Sequence, residues 1–237
     1  MLVKTKAQCL DLPDRLPPKL LFIDDERGVY KKDEMRLLET LKVSDIIRIV
    51  SEQDEAFRQH VQDMMEDNPE LGAFGFISKL RKMLGLSKVK ASVKVIEQLL
   101  EDRDKLVVFC WHEDVVNDLF ANLADYGALK ITGKTPHATR HNNVKEFQTN
   151  KNKRILVANI QAAGVGITLT KSSAPVFVEP SWRWDDNEQA IDRCHRIGQT
   201  EAVQPMFLVV KNSLDHLVLN SYINKGSVIR TAIKPST

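Results

Sequence analysis

The sequence contains few cysteines, no long apolar run and no internal repeat. The three cysteines among its 237 residues, Cys9, Cys110 and Cys194, have neither the spacing of a zinc site nor the number of a disulfide framework, which predicts a reducing compartment. No apolar segment reaches the length of about 20 residues that a transmembrane helix needs, and residues 1–10 lack the hydrophobic stretch of a signal peptide. We therefore expect a protein that is not secreted and lies in the cytoplasm of a bacterial or phage-infected cell, or in a eukaryotic nucleus.

The chain also lacks an excess of charge of either sign. Lys and Arg number 34 against 32 Asp and Glu, a net charge of +2, which argues against a surface coated in nonspecific DNA-binding charge. The distribution is uneven, because residues 48–70 hold seven acids and two bases while residues 130–154 hold seven bases and one acid. A basic strip of this kind either follows a phosphate backbone or is an ordinary solvated surface. Its bases are Lys130, Lys134, Arg140, Lys145, Lys151, Lys153 and Arg154.

Short apolar runs alternate with helix-like stretches through most of the chain. Buried strands are predicted at 20–23, 106–109, 129–132, 154–157 and 174–178. Helices are predicted at 88–100, at 114–124, around 140–147 and through 189–196. Since strands that alternate with helices form parallel sheets covered on both faces, the predicted fold class is α/β.

The most informative segment is residues 189–199, Gln-Ala-Ile-Asp-Arg-Cys-His-Arg-Ile-Gly-Gln. Gln189, Arg193 and Arg196 are spaced i, i+4, i+7, so in a helix their side chains point the same way. Guanidinium forks stay charged at any working pH and suit a phosphate whose charge spreads over several oxygens. The alternative is a solvated helix face on which Asp192 pairs with Arg196.

Two glycines follow the predicted strand at 154–157. Gly164 and Gly166 would let the backbone approach a ligand closely, because glycine adopts left-handed dihedrals freely. Exposed amides there could hold a phosphate of DNA or of a nucleotide. Trp182 closes the apolar run that comes next, and we expect it to pack in the core.

These segments resemble motifs V and VI of the Swi/Snf-type ATPases, a branch of the superfamily 2 helicases. Residues 105–109, Lys-Leu-Val-Val-Phe, resemble motif IV, and the Arg-x-x-x-Val-x-x-Phe pattern at 140–147 resembles the region that follows it. Leu-Pro-Pro-Lys at 16–19 and the segment 81–89 are similar to the start of the family's second half. The resemblance covers about residues 12–228. One departure is Trp-Arg-Trp at 182–184, where the family shows Trp-Asn-Pro.

The resemblance implies a RecA-like fold and three overlapping sets of site residues. The catalytic residues would be Arg196, as arginine finger, and its neighbour Arg193. The nucleotide would be contacted by Gln189, Gly164, Gly166, Arg193 and Arg196. DNA would be contacted by Lys134, Arg140, Gly133, Thr168, Trp111 and His112. None of these residues is expected to bind a metal.

Two segments resemble phosphate or magnesium sites of other enzymes. Residues 132–135 end like a P-loop, but the first glycine of that pattern would fall at Ala128, and Pro136 indicates that the next helix begins later. Residues 24–26, Asp-Asp-Glu after a strand, resemble a Walker B segment or the magnesium site of a receiver domain. The family resemblance instead implies that they are surface acids.

Length limits what the chain can do by itself. Its 237 residues are too few for a complete two-lobed motor, and nothing before Leu106 supplies a P-loop and Asp-Glu acids in order. The resemblance implies a mostly helical protrusion or insertion region with an initial strand at 1–86, and a second RecA-like helicase lobe at 87–237.

The expected function is therefore one lobe of an ATP-dependent motor that translocates on double-stranded or branched DNA. The resemblance implies that ATP and Mg²⁺ are held mainly by a first RecA-like lobe, in the same polypeptide or in a separate chain. This lobe alone would be inactive. The alternative is a standalone DNA-binding or regulatory module on the same scaffold, without ATPase activity.

Overall fold

The computed structural model describes residues 12–24, 73–163, 166–210, 213–215 and 219. The strands are β1 (Lys19–Ile23), β2 (Leu106–Cys110), β3 (Leu129–Ile131), β4 (Ile155–Asn159), β5 (Pro175–Phe177) and β6 (Met206–Val210). The helices are α1 (Ala73–Ser87), α2 (Val89–Glu101), α3 (Glu113–Asn122), α4 (His137–Thr149), α5 (Ile160–Ala163) and α6 (Trp184–Cys194), with a 3₁₀ turn at Ala124–Tyr126.

The six strands form one sheet in the order β1-β6-β5-β2-β4-β3, and every pairing is parallel. All five residues of β2 and all five of β6 are buried, as expected for strands covered on both faces. The predicted α/β fold with a parallel sheet is confirmed. None of the helices in the described residues has the length and apolar character that crossing a membrane requires.

Helices cover both faces of the sheet, as the alternation of elements predicts. On one face α1, α2 and α3 pack with inward side chains such as Val108 and Leu208, and on the other α4, α5 and α6 pack with Phe109 and Phe207. Phe177 lies between the last two rings, with centroid distances of 5.0 and 4.7 Å. Alternate residues of each strand therefore supply two separate cores.

Strand β6 is missing from the elements predicted by sequence, although Met206–Val210 are five consecutive apolar residues. It pairs with β1 along its whole length, from Lys19 opposite Met206 to Ile23 opposite Val210. The initial strand of the predicted 1–86 region therefore belongs to the sheet of the lobe. Residues 25–72, including the acids at 25 and 26, lie outside the described residues, and the boundary at residue 86 stays a prediction.

The junction of α1 and α2 is anchored by a buried ion pair. Lys88 is 0% exposed, and its Nζ donates to Asp215 Oδ2 at 2.5 Å and to the Leu208 carbonyl at 3.2 Å. Burial raises the pKa of the Asp215 carboxyl, and the Lys88 ammonium partly offsets that effect. The pair therefore holds the segment that follows β6 against the junction of α1 and α2.

Both described cysteines lie in the core. Cys110 and Cys194 are 0% exposed and unpaired, and burial raises the pKa of both thiols. They therefore pack as small apolar side chains.

Replacing Lys88 by Met should destabilise the fold by about 3–5 kcal/mol, because a buried carboxyl loses its partner. The folded-state pKa of Asp215 would rise further above its unfolded value of about 4, so stability is retained at low pH and is lost as pH rises between the two values. Urea unfolding at pH 5 and pH 7.5 measures this: the deficit of Lys88→Met should be larger at pH 7.5. In Lys88→Met/Asp215→Asn the pH-dependent part should vanish, and an equal deficit of the single variant at both pH values would contradict the assignment.

Candidate functional site

The loops that follow β2 and β5 meet at the edge of the sheet where the strands end, which we call the carboxyl edge. Glu179, 2% exposed, lies just after β5 and accepts three hydrogen bonds from the end of β2. Its Oε2 accepts from the backbone N–H groups of Trp111 at 3.2 Å and His112 at 2.9 Å, and its Oε1 accepts from His112 Nδ1 at 2.7 Å. Trp111 and His112, two of the predicted DNA-contacting residues, are thus held by one buried carboxylate.

Arg81 of α1 completes this cluster. Its guanidinium lies over the rings of Trp111 and Trp182, 4.8 and 5.3 Å from their centroids, and donates to the Pro180 carbonyl. Burial lowers the pKa of Arg81 to about 10, opposed by nearby carboxylates, so the group stays charged at neutral pH. Trp182 packs against the core, as predicted.

Gly85 makes room for the Glu179 carboxylate. A Cβ at position 85 would collide with Glu179 Oε1 and with a methyl group of Val115. The roles of Glu179 and Arg81 are missing from the site predicted by sequence. The sequence feature that could have indicated Glu179 is its position directly after a buried apolar strand, because a residue placed there lies at the carboxyl edge.

The loop after β3 is a compact turn and lacks the architecture of a P-loop. Thr132 and Thr135 close it through Thr132 N to Thr135 Oγ1 at 2.8 Å and Thr135 N to the Thr132 carbonyl at 3.1 Å. Pro136 precedes α4, which begins at His137, so the turn does not open directly into a helix. The start of α4 at His137 agrees with the helix start that Pro136 indicates in the sequence.

Gly133 and Lys134 lie exposed at the tip of this turn. Lys134 Nζ lies 2.9 Å from Glu113 Oε2 in the first turn of α3, and this contact raises the pKa of Lys134. Arg140, in the first turn of α4, donates to the Thr132 carbonyl at 3.4 Å. The turn is therefore braced on both sides, with a lysine available at its surface.

Fewer bases of the strip predicted at 130–154 are available at the surface than their number in the sequence suggests. Lys130 donates to Asn117 Oδ1 at 2.8 Å and lies 5.0 Å from the centre of the Phe120 ring. Arg154 donates to three backbone carbonyls around the end of α2. Lys145 and Lys151 are exposed. Two of the seven bases therefore tie loops and helices together and contribute little to a phosphate-binding surface.

The prediction that Gln189, Arg193 and Arg196 share one helical face is wrong for Arg196. Helix α6 ends at Cys194, so Gln189 is exposed and Arg193 half-buried on the helix, while Arg196 is exposed in the turn beyond it. The turn contains Gly198 at φ +98°, a left-handed conformation typical of helix ends. Asp192, the partner considered for Arg196, has its Oδ1 3.9 Å from Arg15 Nη1.

The loop that precedes β5, between α5 and β5, reaches the end of α6. The Leu169 N–H donates to the Arg193 carbonyl at 2.8 Å, and a Cβ at Gly198 would lie 3.7 Å from Thr170 Oγ1. Gly166, at φ +64°, is exposed with nothing within 4 Å of a Cβ position, while Gly164 lies outside the described residues. Thr168 is half-buried in the same loop.

The predicted site residues thus form two groups. The group at the carboxyl edge contains Trp111, His112, Gly133, Lys134 and Arg140, of which the first two are half-buried and held by Glu179. The second group contains Gln189 in the middle of α6, Arg193 near its end and Arg196 in the turn beyond it. The Arg193 carbonyl joins this group to the loop of Gly166 and Thr168. Contact of either group with nucleotide or DNA stays a prediction.

Residues 87–198 match the helicase conserved C-terminal domain. The chain is 33% identical over 159 residues to a SWI/SNF-related matrix-associated actin-dependent regulator of chromatin subfamily A-like protein 1 homolog of Caenorhabditis elegans, which covers 63% of this chain and 23% of that protein. It is 33% identical over 157 residues to the DNA annealing helicase and endonuclease ZRANB3 of Mus musculus, covering 65% of this chain and 15% of that one. The chain therefore spans less than a quarter of the length of these relatives.

Solved structures share the fold. The C-terminal part of the Fun30 ATPase domain superposes with a TM-score of 0.62 at 18% identity, covering 89% of this chain and 90% of that one. The Sulfolobus solfataricus SWI2/SNF2 ATPase core in complex with dsDNA superposes with a TM-score of 0.60 at 19% identity, covering 98% of this chain and 53% of that one. The predicted RecA-like fold and the family resemblance are confirmed.

Glu179→Gln should destabilise the fold by about 2–3 kcal/mol, because charge-assisted hydrogen bonds are lost and the amide N–H groups face other donors. Asp114→Asn, which breaks an exposed pair with Lys82, is the control and should lose much less stability than Glu179→Gln, because an exposed ion pair contributes little. Urea unfolding of the two variants provides the comparison. Equal losses would show that the Glu179 carboxylate does not organise the carboxyl edge.

Proposed function

Because the chain belongs to the Swi/Snf-type helicases as their C-terminal lobe, we propose that it is the second RecA-like lobe of an ATP-dependent motor that translocates on double-stranded DNA. The observation that carries this proposal is the exposed Arg196, placed on a turn whose neighbours are buried and hydrogen-bonded. An arginine presented in this way can reach across to a nucleotide bound by another lobe. On this proposal the chain is inactive alone.

The chemistry assigned to this lobe is electrostatic. In phosphoryl transfer negative charge spreads over the equatorial oxygens of the transferred group, and a guanidinium fork placed there stabilises the transition state. Arg196 would supply that fork, and the half-buried Arg193 one turn before it would add positive charge nearby. Gln189 is exposed on the same helix and would contact the nucleotide from its side.

ATP is the substrate, and we assign its phosphates and magnesium to the first lobe. Magnesium would supply charge neutralisation at the β- and γ-phosphates when bound. The described residues contain no group of three or more side chains that could hold a metal ion. This lobe's own contribution is limited to the side chains and backbone at the end of α6 and in the loop that precedes β5.

DNA would lie along the carboxyl edge. Lys134 and the braced turn around Gly133 project from it, and Arg140 stands behind them. Contacts from lysines and backbone amides to phosphates do not depend on the base sequence, and they weaken as the salt concentration rises. The dsDNA named with the Sulfolobus solfataricus neighbour supports this partner. When the cleft between the two lobes closes over ATP, the DNA contacts of this lobe would then shift along the duplex.

Arg196→Ala should lower the ATPase rate of this lobe combined with a P-loop-bearing first lobe by a factor on the order of 10³ or more, as for other arginine fingers. Arg196→Lys keeps the charge but loses the fork and should also be impaired. DNA binding of both variants, measured by fluorescence anisotropy, should match the parent chain. Lys94→Ala, on the exposed side of α2, is the control and should leave both activities unchanged.

Two outcomes would contradict this assignment. Equal loss of ATPase and DNA binding in Arg196→Ala would show that the arginine is structural. ATP turnover by the chain alone at the rate of a complete motor would show that the lobe does not depend on a partner for its nucleotide site. If DNA binds but no first lobe restores hydrolysis, a standalone DNA-binding or regulatory module becomes the better description.

Lys134→Ala should weaken duplex binding and reduce the slope of log affinity against log salt by about one. Glu113→Gln should have the opposite effect, because it releases Lys134 from its ion pair; a gain of about two- to fivefold is expected for an exposed pair. Lys90→Ala on α2 is the control. Fluorescence anisotropy at several salt concentrations measures all three. Weaker binding by Glu113→Gln would place DNA away from this turn.

A further inference from the structure

The turn at residues 195–198 needs support from outside α6. Arg196 follows the last helical residue by two positions and is exposed, and Ile197 beside it is 68% exposed. An arginine on a loose turn would have to be ordered each time that it meets a phosphate, and this ordering opposes the contact. His195, directly before Arg196, and Gln199, two residues after Ile197, are buried.

The side-chain amide of Gln199 gives the turn that support. Gln199 is 7% exposed, and its Nε2 donates to the carbonyls of Ser172 and Cys194, both at 3.1 Å. Its Oε1 accepts from the N–H groups of Thr200 at 2.9 Å and Glu201 at 3.0 Å. All four bonding positions of the amide are therefore used.

The amide joins three parts of the lobe. Cys194 is the last residue of α6, Ser172 belongs to the loop that precedes β5, and residues 200 and 201 lead toward β6. Ser172 is itself tied to the central strand, since its Oγ accepts from the Val107 N–H at 3.2 Å. The position of α6's end is thus set relative to β2.

The backbone of the turn is held by the same residue. The Gln199 N–H donates to the Arg196 carbonyl at 2.9 Å, which closes the turn through Gly198 at φ +98°. On the other side His195, 4% exposed, donates from Nε2 to the Pro13 carbonyl at 2.8 Å. Arg196 is therefore fixed at both flanks, and only its side chain remains to be ordered by a ligand.

We propose that Gln199 is the positioning residue for the arginine finger: its amide holds the turn so that the Arg196 guanidinium projects into the cleft where the nucleotide of the other lobe arrives. This inference rests on the proposed function, because it needs Arg196 to act on ATP. Gln199 does not touch the substrate. It acts through the carbonyls of Arg196, Cys194 and Ser172.

Gln199→Glu tests the amide with almost no change in shape. As a carboxylate, the new side chain turns an oxygen toward two carbonyl oxygens that now receive N–H groups, and the turn is pushed apart. When protonated, it donates one hydrogen bond and restores part of the arrangement. Burial favours the neutral acid, so activity relative to the parent should recover as pH falls from about 8.5 toward 6.

The experiment measures ATPase of the lobe combined with its first lobe across this pH range. For Gln199→Glu at high pH, kcat should fall by a factor on the order of 10–100, since a shift of about 1 Å at a catalytic group has effects of this size. KM for ATP should change by less than about threefold, because the finger acts mainly in the transition state. Gln98→Glu, the same change at an exposed position of α2, is the control.

Gln199→Met is the second variant, because it removes the same hydrogen bonds without adding charge. Its kcat should be low at every pH, and it carries the test if Gln199→Glu does not fold. Hydrogen–deuterium exchange of the chain alone adds a readout without ATPase: both variants should exchange faster at residues 195–201 and be unchanged in β2.

The outcomes distinguish failure of the role of Gln199 from failure of the proposed function. The role of Gln199 alone would be overturned if Arg196→Ala loses ATPase while Gln199→Met keeps the kcat of the parent. The same conclusion would follow if Gln199→Glu keeps the kcat of the parent at all pH values. Normal ATPase in Arg196→Ala would overturn the proposed function and, with it, the role of Gln199. A pH-independent loss in Gln199→Glu with an equal rise in KM would show that Gln199 is merely structural.

Discussion

The parallel sheet constrains where every functional group of this lobe can lie. Strands that run in one direction must be joined by crossovers, and strands buried on both faces need those crossovers to be packed helices. Loops that follow strands therefore gather at the carboxyl edge, and helices carry the chain back to the opposite edge. The turn of Thr132–Thr135 and the Glu179 cluster lie at the first edge, and the turn of Arg196, between α6 and β6, lies at the second.

The sequence was sufficient for the elements whose apolar pattern is local. The strands around Val108, Val157 and Val176 and the helix of Leu119 were all predicted within a few residues of their bounds, because burial on both faces leaves continuous apolar runs. The pairing of β1 with β6 could not be predicted, since the two strands are separated by most of the chain and nothing local records which strands become neighbours.

The candidate site was harder to predict than the fold for a different reason. A period of 3.6 residues assigns faces only as far as the helix continues, and α6 ends at Cys194, where the Gln199 amide takes the last carbonyl. Charge counts failed in a similar way, because Arg154 and Lys130 are bonded to loops and helices. In each case a side-chain contact with a residue outside the periodic or charged segment decided what the local pattern left open.

Helix α6 connects the two edges, and both of its ends are fixed. At its start Asn187, 0% exposed, exchanges hydrogen bonds with Ser181 at 2.8 and 2.7 Å, which holds the helix to the loop of Glu179. At its end Gln199 holds it to the loop before β5. A helix of 11 residues spans about 16 Å. If Arg196 is drawn toward a nucleotide, the carboxyl edge must therefore move with it, because neither end of α6 can yield without breaking buried hydrogen bonds. A motor built on this lobe would transmit cleft closure to DNA as a rigid-body step, which places the flexible element outside α6.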